Sequence, residues 1–108
     1  MAAVALAAFE VLAEPNRRTI LELLRDGERP VGELVLRMGM SQPLVSKHLR
    51  VLRQAGLVDV RADAQRRLYR IRPEPLAELD EWLASYRHFW STHLDRLEHH
   101  LDRRRDTT

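Results

Sequence analysis

Between Gly39 and Val58 the chain reads "GMSQPLVSKHLRVLRQAGLV", and its apolar and polar positions alternate with helical spacing. Val45, Leu49 and Leu52 recur at i, i+4 and i+7, the stripe of a helix that packs on a core. Pro43, Ser46, Lys47 and Arg50 lie roughly opposite at 100° per residue, with Gln42 near the exposed N-terminal end. Ser41 is placed as an N-cap, Pro43 is early enough in the helix to be tolerated, and Gly56 suits its C-terminal stop.

The same reading places three helices before it. Residues 4–13 form a short alanine-rich helix offering Leu6, Phe9, Val11 and Leu12. Its opening, "MAAVALAAFEVLAEP", lacks a basic stretch before the apolar run, so it reads as a first helix and not as a signal peptide. "EPNRRTILELLRDGE" restarts the pattern with Pro15 in a first turn and Gly27 as a stop, burying Ile20, Leu21, Leu23 and Leu24. "RPVGELVLRMG" is a third helix from Pro30 or Val31 to Gly39.

After Gly56 the period falls to two. "LVDVRADAQRRLYRI" predicts a two-stranded hairpin with its tip at Ala62–Gln65. No glycine stands at that tip, so a two-residue type I′ turn is not expected. "RPEP" ends the strand, and Leu76 to about Arg103 then reads as one helix about 40 Å long. Its apolar positions 76, 79, 83, 86, 90, 94, 97 and 101 follow steps of three and four, and only the terminal "RRRDTT" looks frayed.

The 108 residues suffice for one domain, and 44% hydrophobic with 31% charged residues describes a globular, cytoplasmic protein. There is no cysteine, which excludes disulfides and thiolate metal sites. No apolar run has the length of a membrane span. Net charge is only +2, but residues 37–72 carry nine basic and two acidic side chains, a local balance of +7. A basic block of this kind is what a nucleic-acid surface requires. Composition alone would equally fit a solvated charged surface.

Two short helices joined by "GMS" match a helix-turn-helix, and the basic hairpin after it, with Arg61, Arg66, Arg67 and Arg70, matches a wing. In such a module the buried stripe fixes the second helix while its outer face enters the major groove. Gln can pair with adenine, Ser with base edges or phosphate, and Lys or Arg with guanine or phosphate. Two other readings remain: an ordinary core helix with solvated residues, and a winged helix that contacts protein. No nucleophile arrangement or glycine-rich phosphate loop supports an enzyme.

"LAEPNRRTILELL", "SQPLVSKHLRVLRQAGLV" and "RRLYRI" closely resemble the ArsR/SmtB family of bacterial winged-helix repressors over residues 7–72. The resemblance implies a mainly α fold with four helices, a two-stranded wing and a long C-terminal helix. It also implies a homodimeric repressor that binds double-stranded DNA at an inverted repeat. Residues 1–108 then form one DNA-binding domain, with 1–13 and 75–103 as dimerisation helices. The DNA-contacting set is Ser41, Gln42, Ser46, Lys47, His48, Arg50, Arg66 and Arg67, and the dimer seam is Leu6, Phe9, Leu79, Leu83, Tyr86, Trp90, Leu94 and Leu97. His48 turns toward the partly buried side of its helix, which suits a positioning residue better than a base reader.

Many members of that family release DNA when metal binds. The thiolate site would fall on Val35 and Arg37, neither of which ligates. The C-terminal helix site can be matched by His88, His99 and Asp102, with Tyr86 in place of an acid. Counting from the wing instead puts Pro73, Pro75, Tyr86 and Phe89 at those positions, a set that cannot hold zinc. The expectation is a regulator with no metal and no cofactor, whose effector the sequence leaves open. A zinc-responsive repressor is the alternative. Trp82, Phe89 and Trp90 read as packing residues before they read as an effector pocket.

Overall fold

The computed structural model describes the backbone of residues 3–106 and the side chains of residues 6–103. The elements are helices α1 (Ala3–Leu12) and α2 (Pro15–Leu24), strand β1 (Arg29–Pro30), helices α3 (Val31–Met38) and α4 (Gln42–Gln54), strands β2 (Val58–Asp63) and β3 (Arg66–Ile71), and helix α5 (Pro73–Asp106). This is the mainly helical winged helix-turn-helix that the periodicity and the family resemblance predict. The chain divides into two compact units, Met1–Glu78 and Leu79–Thr108. Met1, Ala2, Thr107 and Thr108, which belong to the expected first helix and frayed end, lie outside the described residues.

Local chemistry sets the helix ends. Ser41 is extended, and its Oγ accepts the Leu44 N–H at 3.4 Å, so it caps α4. At the other end Leu57 N donates to Leu52 O at 2.9 Å and Gly56 N to Arg53 O at 3.0 Å. That bond pair closes a helix only around a left-handed residue, and Gly56 has φ +77°. Gly39, with φ +63°, ends α3 in the same conformation and allows the tight turn into α4.

In the first unit Ile20, Leu34, Val45, Leu49, Leu52, Leu57 and Val58 are fully buried, and Ala8, Val11, Leu21, Leu24 and Leu68 join them. The α4 stripe is therefore the centre of the core, where α2, α3 and β2 approach it. Leu23, expected inside, is only half-buried because it turns toward the flank of α2.

The sheet departs from the two-stranded expectation. It has three strands in the order β1-β3-β2, all antiparallel, with Arg29 opposite Tyr69 and Pro30 opposite Leu68. A two-residue strand is too short to show alternation, and Pro30, without an N–H, is confined to an edge. The hairpin pairs from Val58↔Ile71 to Asp63↔Arg66, so its loop is the two residues Ala64 and Gln65. Ala64 takes φ +56°. No other non-glycine described residue has a positive φ, so the type I′ turn, which needs two, does not form.

The last helix begins at Pro73, before the expected Leu76, since proline suits a first helical position; it continues past Arg103 to Asp106. Leu79, expected on the dimer stripe, is 7% exposed. Tyr86, Phe89, Trp90, Leu94, Leu97 and Leu101 are exposed, with Trp82 and Tyr86 rings 5.0 Å apart along the helix. No helix among the described residues is long and apolar enough to cross a membrane.

Candidate nucleic-acid interface

Burial of Val45, Leu49 and Leu52 orients the rest of α4. Gln42, Lys47 and Arg50 are exposed, and Ser46 is half-buried beside them. Lys47 and Arg50 have no ion pair among the described residues, and neither does Arg53, one turn further along the same helix. Arg53 was not singled out in the sequence, although its spacing of three from Arg50 and seven from Ser46 places it on that flank. Leu44, also exposed, offers an apolar contact of the kind a thymine methyl provides.

Two predicted side chains are engaged elsewhere. Ser41 Oγ is occupied as the α4 cap. The His48 side chain is 13% exposed, and its Nδ1 lies 3.9 Å from Glu14 Oε2 at the start of α2. It thus turns inward, as its helical position predicts.

The wing is less uniformly basic than its sequence. Arg61 Nε donates to Glu28 Oε2 at 2.6 Å, Arg66 is 3.3 Å from Asp63, and Arg70 is 3.2 Å from Asp59 directly across the ladder. The bond from Arg61 holds the Glu28 carboxyl below its ordinary range and the Arg61 guanidinium above its own. The Asp59 carboxyl is lowered first by the Val60 N–H at 2.8 Å and then by Arg70. Arg67, exposed next to the tip, has no ion pair among the described residues. Three of the four wing arginines are thus partly neutralised at rest.

Among the described residues no group of three or more His, Cys, Asp or Glu side chains is placed to hold a metal ion. His88 and His99 are eleven residues apart on α5, about 16 Å along its axis, so one ion cannot take both from the same helix. His99 and Asp102, three apart, share a face.

Residues 14–60, from the first turn of α2 to the start of the wing, match the family described as bacterial regulatory protein, arsR family. Over 72 residues the chain is 44% identical to the HTH-type transcriptional regulator Rv2034 of Mycobacterium tuberculosis, covering 67% of each protein. Over 75 residues it is 40% identical to the biofilm growth-associated repressor of Agrobacterium fabrum, covering 69% of this chain and 64% of the repressor. The matched stretch thus spans about two thirds of these curated relatives. Among solved structures, the homodimeric winged helix-turn-helix DNA-binding domain Mb0332 of Mycobacterium bovis superposes with a TM-score of 0.64 at 32% identity, covering 78% of this chain and 81% of that one. Helix order, the capped α4, the hairpin and sequence identity agree, and the chain belongs to the arsR family of bacterial regulatory proteins.

Proposed function

We propose that this transcriptional regulator acts as a cytoplasmic homodimeric repressor, which reads an inverted-repeat DNA operator through α4 and the wing without a metal signal. The observation that carries the reading is the division of α4 into two faces. Val45, Leu49 and Leu52 are at most 1% exposed, while Gln42, Lys47 and Arg50 face outward, the two cations without an ion pair among the described residues. Exposed and without an ion pair among the described residues, Lys47 and Arg50 are open to phosphate or base edges. A protein-contacting winged helix would not need a local balance of +7 over residues 37–72.

Gln42, Ser46, Lys47, Arg50, Arg66 and Arg67 would supply the contacts, with Ser41 acting through the helix cap and His48 through the position of α4. Dimerisation through α1 and the α5 stripe of half-buried Leu83 and exposed Tyr86, Trp90, Leu94 and Leu97 would bring two recognition helices about one DNA turn apart, ~34 Å. The repressor name of one relative and the homodimeric domain of another support repression and pairing. No catalytic role is proposed.

The test is selection of duplexes from a random library, followed by affinity against salt. A DNA reader shows log K falling linearly with log salt and a preferred, two-fold symmetric sequence. Gln42→Ala should relax the base preference at one position, and Lys47→Ala should weaken binding without changing the melting temperature. No preferred sequence, or affinity insensitive to salt, would sink the reading.

A further inference from the structure

We infer that Glu14 is a positioning residue for DNA recognition, whose carboxylate, anchored at the start of α2, sets the rotation of α4 through His48. The inference rests on the proposed reading of α4 as the DNA-contacting helix.

Glu14 occupies the N-cap of α2 with extended backbone, φ −91° and ψ 121°. Its Oε2 accepts the Arg17 N–H at 3.1 Å, and its Oε1 accepts from Asn16 Nδ2 at 3.3 Å. Arg17 Nε, a buried donor without a hydrogen bond, lies 4.0 Å from the same Oε2. These three contacts come from the first turn of α2 and fix the carboxylate. The fourth approach comes from α4, whose His48 Nδ1 lies 3.9 Å from Oε2, a polar contact longer than a hydrogen bond.

Glutamate is not among the favoured capping residues, which are the shorter Ser, Thr, Asp and Asn. Its extra methylene is what lets one carboxylate cap α2 and still approach α4. His48 stands between the buried Leu49 and the exposed Lys47, on the shoulder of the helix. Burial of Val45, Leu49 and Leu52 sets which face of α4 turns inward, and all three lie along one stripe. His48, set against the Glu14 carboxylate on the shoulder, adds a restraint at a second point around the helix. With side chains reaching roughly 5–6 Å from the axis, a 10° rotation displaces their tips by about 1 Å. That is enough to spoil base hydrogen bonds at Gln42 and Ser46.

The full-length protein can be tested on two duplexes, a selected operator and a scrambled sequence of equal length. Glu14→Asp keeps a good cap but withdraws the carboxylate from His48 by one carbon–carbon bond, ~1.5 Å. The variant should melt like the wild type, lose operator affinity about tenfold, and bind the scrambled duplex unchanged. His48→Gln should lose operator affinity by a similar factor. The double variant E14D/H48Q should be no worse than either single change, since both remove one contact. Wild-type operator affinity in Glu14→Asp, or additive losses in the double variant, would overturn the inference. So would equal losses on operator and scrambled duplex, which would make His48 a phosphate contact. Those outcomes leave the DNA-reading function standing, whereas wild-type protein with no operator preference would remove both.

Discussion

Arg61 on β2 donates through Nε to Glu28 Oε2 at 2.6 Å, joining the wing to the segment just before β1 across 33 positions of sequence. The bond lowers the Glu28 carboxyl, and the Val60 N–H together with Arg70 lowers that of Asp59. Each carboxyl is therefore more acidic folded than unfolded, so it contributes stability that is complete above the unfolded values. That stability is lost as pH falls below the ordinary values of 4.5 and 3.8 toward the lower folded ones. Amide exchange in β2 and β3 should stay constant from neutral pH down to that range once corrected for intrinsic rates, then accelerate. Glu28→Gln and Asp59→Asn together should flatten the transition. Both groups are exposed, so 0.5 M salt should shrink the effect as well.

Ala64 is held at φ +56° by the two-residue loop between Asp63 and Arg66. An L-residue with a Cβ pays about 1 kcal/mol for that conformation. Ala64→Gly should thus be neutral or stabilise by up to about 1 kcal/mol in urea unfolding, against the ~0.5–1 kcal/mol loss usual for alanine to glycine inside a helix or strand. Ala64→Val should destabilise. A loss of more than about 1 kcal/mol in the glycine variant would mean that the loop does not take this conformation in solution.

The wing cations differ in their resting partners. Arg66 is 3.3 Å from Asp63, while Arg67 has no ion pair among the described residues. Arg67→Ala should weaken all duplexes alike and lower the salt slope by about one. Asp63→Asn frees Arg66 and removes a charge that repels phosphate, so affinity should rise at low salt. If neither substitution changes DNA affinity, the hairpin is not a DNA contact.

The exposed face of α5 carries Tyr86, Phe89, Trp90, Leu94, Leu97 and Leu101, the face on which a second copy is proposed to pack. Leu83→Glu with Trp90→Glu should give monomers or aggregates in sedimentation velocity. Operator binding should fall with them, because each half-site then binds alone. An unchanged dimer would place the seam elsewhere.

Neither zinc nor a chelator should change operator affinity by more than about twofold. The chain has no cysteine, Val35 and Arg37 cannot ligate, and the register counted from the wing puts Pro73, Pro75, Tyr86 and Phe89 at the C-terminal ligand positions. Loss of DNA binding on adding zinc, reversed by chelator and abolished by His88→Ala, would instead make this a metal-responsive repressor. The metal would then also bind the DNA complex more weakly than the free protein, since coupling is reciprocal.

The sequence by itself determined the features that short-range geometry sets. Helical spacing alone identifies Val45, Leu49 and Leu52 as the buried side of α4, and all three are at most 1% exposed. Ser41, Gly39 and Gly56 announce the helix ends because capping depends on a few neighbouring backbone groups, and a period of two announces the hairpin. The tertiary structure decided what depends on residues far apart in the chain. Strand β1 is two residues long and exists only because β3 lies beside it. Arg61 reads as a free cation until the fold brings Glu28 to it, and Glu14 reads as a surface acid until α2 and α4 set it 3.9 Å from His48. Periodicity follows from bond geometry repeated along the chain, whereas charge pairing and burial follow from where whole elements come to rest against one another.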